Sequence, residues 1–132
     1  MTIQSKGEAI RILYVEDDKD TREVLSALLV MSGYQVETAG TMAEGLHLAE
    51  GGGFALVILD SWLKEGSGIE LCQKIRTFDL HTPVLFLSGS DSITEMERAM
   101  DAGAQGYLIK PCEIEDVEQA IRSLVHRNEP GG

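Results

Sequence analysis

The sequence is poor in basic residues and cysteine, and it has no long apolar run; each shortage removes a class of protein. Against 22 Asp and Glu stand only 11 Lys and Arg, for a formal charge of -11. A surface of that sign repels phosphate backbones and offers no basic footprint from which counterions could be released, so nucleic acid is not expected as a direct partner. The two cysteines, Cys72 and Cys112, form no C-x-x-C and are too few for a disulfide framework. Both are read as reduced thiols that fill space. No apolar run approaches the roughly 20 residues that cross a bilayer, and Met1 to Glu8 lacks the apolar stretch of a secretory signal, so no membrane association and a cytoplasmic location are expected. Gly66 and Gly68 make a G-x-G without the third glycine of a dinucleotide-binding turn, and are assigned to shaping a loop. His47, His81 and His126 fall on a helix, a loop and the tail with no metal-ligand spacing, and are read as surface histidines.

What is present is ordinary globular composition. Of 132 residues, 43% are hydrophobic and 25% charged, enough for one buried core and too few residues for two. The expected organisation is an N-terminal tail over 1–8, one domain over 9–127, and a C-terminal tail or linker start over 128–132. Short apolar runs predict strands at Ile10 to Val15, Gln35 to Ala39, Ala55 to Leu59, Pro83 to Leu87 and Gly106 to Ile109. Three of them are nearly continuously apolar, as expected of strands buried on both faces of a parallel sheet.

Between the runs, a capping residue followed three positions later by Glu recurs at Asp20 with Glu23, Thr41 with Glu44, Ser67 with Glu70 and Ser92 with Glu95, each marking a helix start. Val24, Leu25, Leu28 and Leu29 share one helical face; Val117, Ala120, Ile121, Leu124 and Val125 share another. Gly33, Gly51 to Gly53 and Gly103 stand where helices should stop. The order is β-α five times over, an α/β fold with a five-stranded, doubly wound parallel sheet. Such sheets bind ligands beyond the carboxyl ends of their strands, where the strand order reverses.

That edge collects the chemistry. Glu16, Asp17 and Asp18 follow the first strand and Asp60 ends the third. Carboxylates gathered at neighbouring strand ends repel one another unless a cation sits among them, and hard oxygen ligands of this kind suit magnesium. Ser88, with Gly89 after it, ends the fourth strand and Lys110 ends the fifth. A hydroxyl and an ammonium facing a carboxylate and a cation make a pocket for a phosphoryl group, with Asp60 as nucleophile. Taken singly, each residue is more simply a helix cap or a surface charge; the combination is what favours a phosphoryl site.

The runs Ile12 to Asp18 (ILYVEDD), Leu56 to Asp60 (LVILD), Gly66 to Leu71 (GSGIEL), Val84 to Gly89 (VLFLSG) and Gly103 to Pro111 (GAQGYLIKP) resemble, in that order, the receiver domain of two-component response regulators. The resemblance covers nearly the whole chain and implies the flavodoxin-like, CheY-like fold. It further implies that Glu16 and Asp17 form the acidic pair that binds Mg2+, Asp17 more directly and Glu16 mainly through water, with Asp18 outside the first coordination sphere. Asp60 takes the place of the phosphoacceptor and a metal ligand, and the backbone carbonyl of Trp62 that of a further ligand. Ser88 matches the switch hydroxyl, Tyr107 the aromatic residue that turns inward, and Lys110 the phosphate-binding cation, with a cis peptide before Pro111. The implied partners are a histidine kinase or histidine phosphotransfer protein and a downstream target on the fourth helix, fifth strand and fifth helix, a face through which members of the family pair on activation. No output domain is expected in this chain, and it is read as catalysing only its own phosphorylation and dephosphorylation, not as an enzyme on other substrates.

Lys64 and Cys112 depart from the family pattern, which often has proline at the first position and an aromatic at the second; both are treated as structural variation. Trp62 and Ser90 occupy the positions beside the path of the hydrolytic water, and the indole is hypothesised to slow loss of the phosphoryl group. A phosphatase of the haloacid dehalogenase type also uses an Asp nucleophile with magnesium, but needs a second Asp two residues later, where Trp62 stands. A purely structural module that has lost phosphorylation is disfavoured by retention of the whole residue set.

Overall fold

The computed structural model describes residues 9–127, so the tails expected over 1–8 and 128–132 lie outside the described residues. Strands β1 (Arg11–Val15), β2 (Gln35–Ala39), β3 (Leu56–Asp60), β4 (Val84–Ser88) and β5 (Gly106–Ile109) alternate with helices α1 (Lys19–Met31), α2 (Met42–Gly51), α3 (Gly68–Ile75), α4 (Ile93–Asp101) and α5 (Ile114–Arg127). All strand pairs of the main sheet are parallel, in the order β2-β1-β3-β4-β5. A two-residue antiparallel ribbon, Trp62–Leu63 with Gly66–Ser67, sits between β3 and α3. Three strands begin one residue later than the apolar runs suggest, and β3 and β4 each end one residue later, which brings Asp60 and Ser88 into the sheet ladder.

The strands are apolar on both faces because both faces are covered. Ile12, Tyr14, Leu56, Ile58, Leu85 and Leu87 point toward α1 and α5, where Leu29, Val117, Ile121 and Leu124 meet them. Leu13, Val15, Val57, Leu59, Val84 and Phe86 point the other way, onto Ala49 of α2, Leu71 and Ile75 of α3 and Ala99 of α4. Period-two alternation therefore separates two cores, and each fully buried aliphatic side chain contributes about 1.5–3 kcal/mol relative to exposure.

The helix caps at Thr41, Ser67 and Ser92 form as expected, each side-chain oxygen accepting from the backbone N–H of the Glu three residues on. The first cap is corrected: Asp18, not Asp20, precedes α1, its carboxylate accepting from the Thr21 N–H at 2.9 Å. Asp20 lies within the first turn, where the helix dipole favours an acidic side chain. Gly33 and Gly103 leave their helices at φ 101° and 115°, a conformation L-residues rarely adopt.

The apolar face assigned to α1 is also only half right. Leu29 is fully buried, whereas Val24 and Leu28 remain 61% and 37% exposed. The stripe is wider than the strip of sheet it covers, and its outer edge lines a groove of about 420 Å³ against Pro111, Cys112 and Ile114. His126 falls in the last turn of α5 and not in the tail. Both cysteines are free thiols, and burial, opposed by the charge of Arg76, pushes the Cys72 thiol up to about 11.

Candidate functional site

Strand order reverses between β1 and β3, and their carboxyl ends open the crevice in which a doubly wound sheet binds ligands. Glu16, one residue beyond β1, is 3% exposed and Asp60, the last residue of β3, is 7% exposed. One carboxylate oxygen from each of Glu16, Asp17 and Asp60 lies within 4.8 Å of the others. Lys110, just beyond β5, reaches across β4 to place Nζ 3.0 Å from Asp60 Oδ1 and 3.2 Å from Glu16 Oε1. Four of the expected residues thus share one cup, lined by three carboxylates and one ammonium.

The remaining bonds fix how those groups point. Asp60 Oδ2 accepts from the Trp62 N–H at 3.3 Å, and Glu16 Oε2 accepts from the Asp18 N–H at 3.2 Å. Burial pushes the Glu16 carboxyl above its usual range, with the Asp18 amide opposing and the Asp60 charge adding to the rise. At Lys110 burial works toward the neutral amine, but the hydrogen bond and charge of Asp60, with those of Glu16, outweigh it and raise the pKa. Lys110 is therefore a firmly charged ammonium held between two carboxylates.

Ser88 is fully buried on the neighbouring strand; its Oγ accepts from the Ser90 N–H at 3.1 Å, and its carbonyl receives the Lys110 N–H at 2.7 Å. Because that Oγ bond uses a lone pair, the serine proton remains available to another acceptor. Tyr107 is half-buried, its ring 6.3 Å from that of Phe86 and its hydroxyl donating to the Ser90 carbonyl at 2.9 Å. Trp62 contributes its backbone to the cup while its indole stands 62% exposed. The Lys110–Pro111 peptide is cis. The Asp18 side chain caps α1.

Three participants were not singled out from the sequence. Tyr14 donates its hydroxyl toward Glu16 Oε1 at 3.4 Å; Arg22 of α1 donates from Nη1 to the Glu16 carbonyl at 2.7 Å. Gly68, assigned only to loop shape, opens α3 directly under β3, where an added Cβ would meet the Asp60 carbonyl oxygen at 2.2 Å. Tyr14 was legible as the one hydroxyl in the apolar run Ile12 to Val15; Arg22 and Gly68 act across sequence gaps that no local pattern marks.

Residues 12–122 match the family model of the response regulator receiver domain. The chain belongs to the response regulator receiver family. This receiver domain is 39% identical over 117 residues to YkoG of Bacillus subtilis, named an uncharacterized transcriptional regulatory protein, covering 89% of this chain and 51% of the relative. It superimposes on the CheY-like receiver domain protein from Methanospirillum hungatei with a TM-score of 0.89 and 30% identity, covering 95% and 100% of the two chains. A response regulator from Burkholderia pseudomallei, solved with a phosphorylated aspartic acid and a calcium ion, aligns with a TM-score of 0.81 and 27% identity over 89% of this chain and 69% of that one. The receiver thus spans about half the length of the YkoG-like relative it matches.

Proposed function

We propose that this receiver is a phosphorylation-dependent switch in which Asp60 accepts a phosphoryl group from a histidine kinase or histidine phosphotransfer protein, with Mg2+ as the required cation. The reading is carried by one observation: the Asp60 carboxylate lies in a cup with two further carboxylates and a lysine bonded to it at 3.0 Å. Three hard oxygen donors beside a fixed ammonium fit a magnesium ion, which keeps several waters and takes few carboxylates. Glu16, Asp17 and Asp60 would hold it, with the Trp62 carbonyl as a further donor. When bound, magnesium supplies neutralising charge to the transferring group.

The chain's own residues do the rest. An Asp60 oxygen attacks phosphorus in line as the bond to the donor nitrogen breaks, giving an aspartyl phosphate and releasing the donor imidazole. Lys110, already bonded to Asp60, meets the charge on the phosphoryl oxygens, and the Ser88 hydroxyl donates its free proton to one of them. These groups are fixed before the donor arrives, so the protein supplies positioning and electrostatics. Loss of the phosphoryl group to water resets the switch, and the domain acts on no other substrate. The aspartyl phosphate in the Burkholderia relative supports the assignment.

The signal is read on α4, β5 and α5, through Tyr107 and its bond to the Ser90 carbonyl. Ile93, Met100 and Ile109 stand 71%, 44% and 40% exposed on α4 and β5, a surface suited to a downstream protein or a second copy of the domain. Incubation with magnesium and acetyl phosphate followed by intact mass is the test. One labile phosphoryl group on the wild type, lost in Asp60→Asn and without magnesium, is expected; phosphorylation that survives Asp60→Asn would overturn the assignment.

A further inference from the structure

Glu16 poses a problem that an aspartate in its place would not. Its side chain is one methylene longer, with an extra torsion to be fixed, and a glutamate carboxylate left free to swing is a poor fixed ligand. Something must hold it. Tyr14 stands two residues earlier on β1, so the two side chains share one face of the sheet. The Tyr14 side chain is among the largest that are fully buried, with the residue 1% exposed, so its hydroxyl depends on a protein acceptor. Among the described residues the acceptor it reaches is Glu16 Oε1, at 3.4 Å.

The direction of that bond is not in doubt, since an ionised carboxylate only accepts. Oε1 therefore receives two donors, Tyr14 Oη and Lys110 Nζ at 3.2 Å, and Oε2 receives the Asp18 N–H at 3.2 Å. An ionised carboxylate has about four acceptor directions, so three are filled and one, on Oε2, remains. The packing also accounts for the choice of tyrosine. Every other residue from Ile12 to Val15 is aliphatic, and a phenol buried there without a partner would be destabilising relative to phenylalanine.

We infer that Tyr14 is a positioning residue of the cation-binding cup, its buried hydroxyl holding the Glu16 carboxylate so that its open acceptor direction serves the bound cation; this rests on the magnesium reading above. It acts through Glu16 and touches no reacting atom. Outer partners of this kind commonly set metal affinity by one to two orders of magnitude, and a single long bond places the effect at the lower end.

The test is calorimetric titration of Mg2+ into the full chain as wild type, Tyr14→Phe, Glu16→Asp and the double variant, with thermal melts in EDTA. Tyr14→Phe keeps the ring and its packing, so the metal-free midpoint should stay within a few degrees while Mg2+ affinity falls about tenfold. In the Glu16→Asp background, where the shortened carboxylate no longer reaches the phenol, the same change should alter affinity less than about twofold. Unchanged affinity in Tyr14→Phe, or equal losses in both backgrounds, would overturn the inference. So would a metal-free melt far below wild type, which would make the hydroxyl structural. A wild type that binds no Mg2+ while folding normally would instead sink the magnesium reading and this inference with it.

Discussion

Adding one methyl group at Gly68 should loosen this domain, against the usual gain from replacing glycine at a helical position. Gly68 is the first residue of α3, and alanine there would ordinarily stabilise by up to about 1 kcal/mol through helix propensity and a less flexible unfolded chain. Here the new Cβ would fall 2.2 Å from the Asp60 carbonyl oxygen and 2.9 Å from Phe86 Cε2, where ordinary contact begins at 3.4 Å. Helix and strand would have to separate by the difference, 1.2 Å, in a region where the Gly68 N–H also bonds the Ser61 carbonyl at 2.9 Å. Overpacking of this kind costs about 1–3 kcal/mol and sometimes more, because backbone atoms cannot turn aside as a flexible side chain can. The steric cost exceeds the propensity gain, and a net loss of about 1–2 kcal/mol is expected, or roughly 3–12 °C in the melting midpoint for a domain of this size. Circular dichroism melts in EDTA would measure it. Gly51→Ala is the control, because it also lies in a helix but has nothing within 4 Å of its added Cβ, so it should match or exceed wild type. A Gly68→Ala midpoint equal to or above that of wild type would refute the steric reasoning.

Two further expectations concern the loop after α3 and the tryptophan. Burial works to raise the Asp79 carboxyl, but hydrogen bonds from the Thr82 hydroxyl at 2.6 Å and the His81 and Thr82 backbone N–H groups at 3.0 and 3.1 Å outweigh it, with the Arg76 charge, and lower its pKa. A carboxylate with a depressed folded pKa adds stability that is present above its unfolded value, near 4, and lost as the pH falls through the folded value. Asp79→Ala should therefore cost about 1 kcal/mol at pH 7 and little at pH 2, by urea unfolding at both; an equal cost at the two pH values would contradict this account. For Trp62, whose N–H holds Asp60 and whose indole stands outside, Mg2+ should change the fluorescence of the wild type, and Trp62→Asn should lose its phosphoryl group severalfold faster by timed intact mass. A decay rate that is unchanged or slower would remove the indole from any role against water.

The element order was readable because its causes are local. Ile12 to Val15 and Leu56 to Leu59 are apolar on both faces, and only a sheet covered on both sides accepts such strands. Thr41, Ser67 and Ser92 cap their helices through bonds spanning three residues, which spacing alone can show. The misreadings came where two local signals competed. Asp18 and Asp20 are both plausible caps, and the acidic turn after β1 decides between them by bringing Asp18 to the helix mouth. Val24 and Leu28 are periodic with Leu25 and Leu29, yet remain exposed because the covering width of the sheet is not written in α1.

From the amino-acid order alone came the αβ alternation, the family likeness and the five residues Glu16, Asp17, Asp60, Ser88 and Lys110, because strand ends and cap spacings depend on near neighbours along the chain. Only the folded chain decided that Lys110 spans Asp60 and Glu16 and that Gly68 must carry no side chain beneath β3. These are contacts between groups set by strand order and sheet twist, and a distance in space between residues far apart in sequence has no local pattern to announce it.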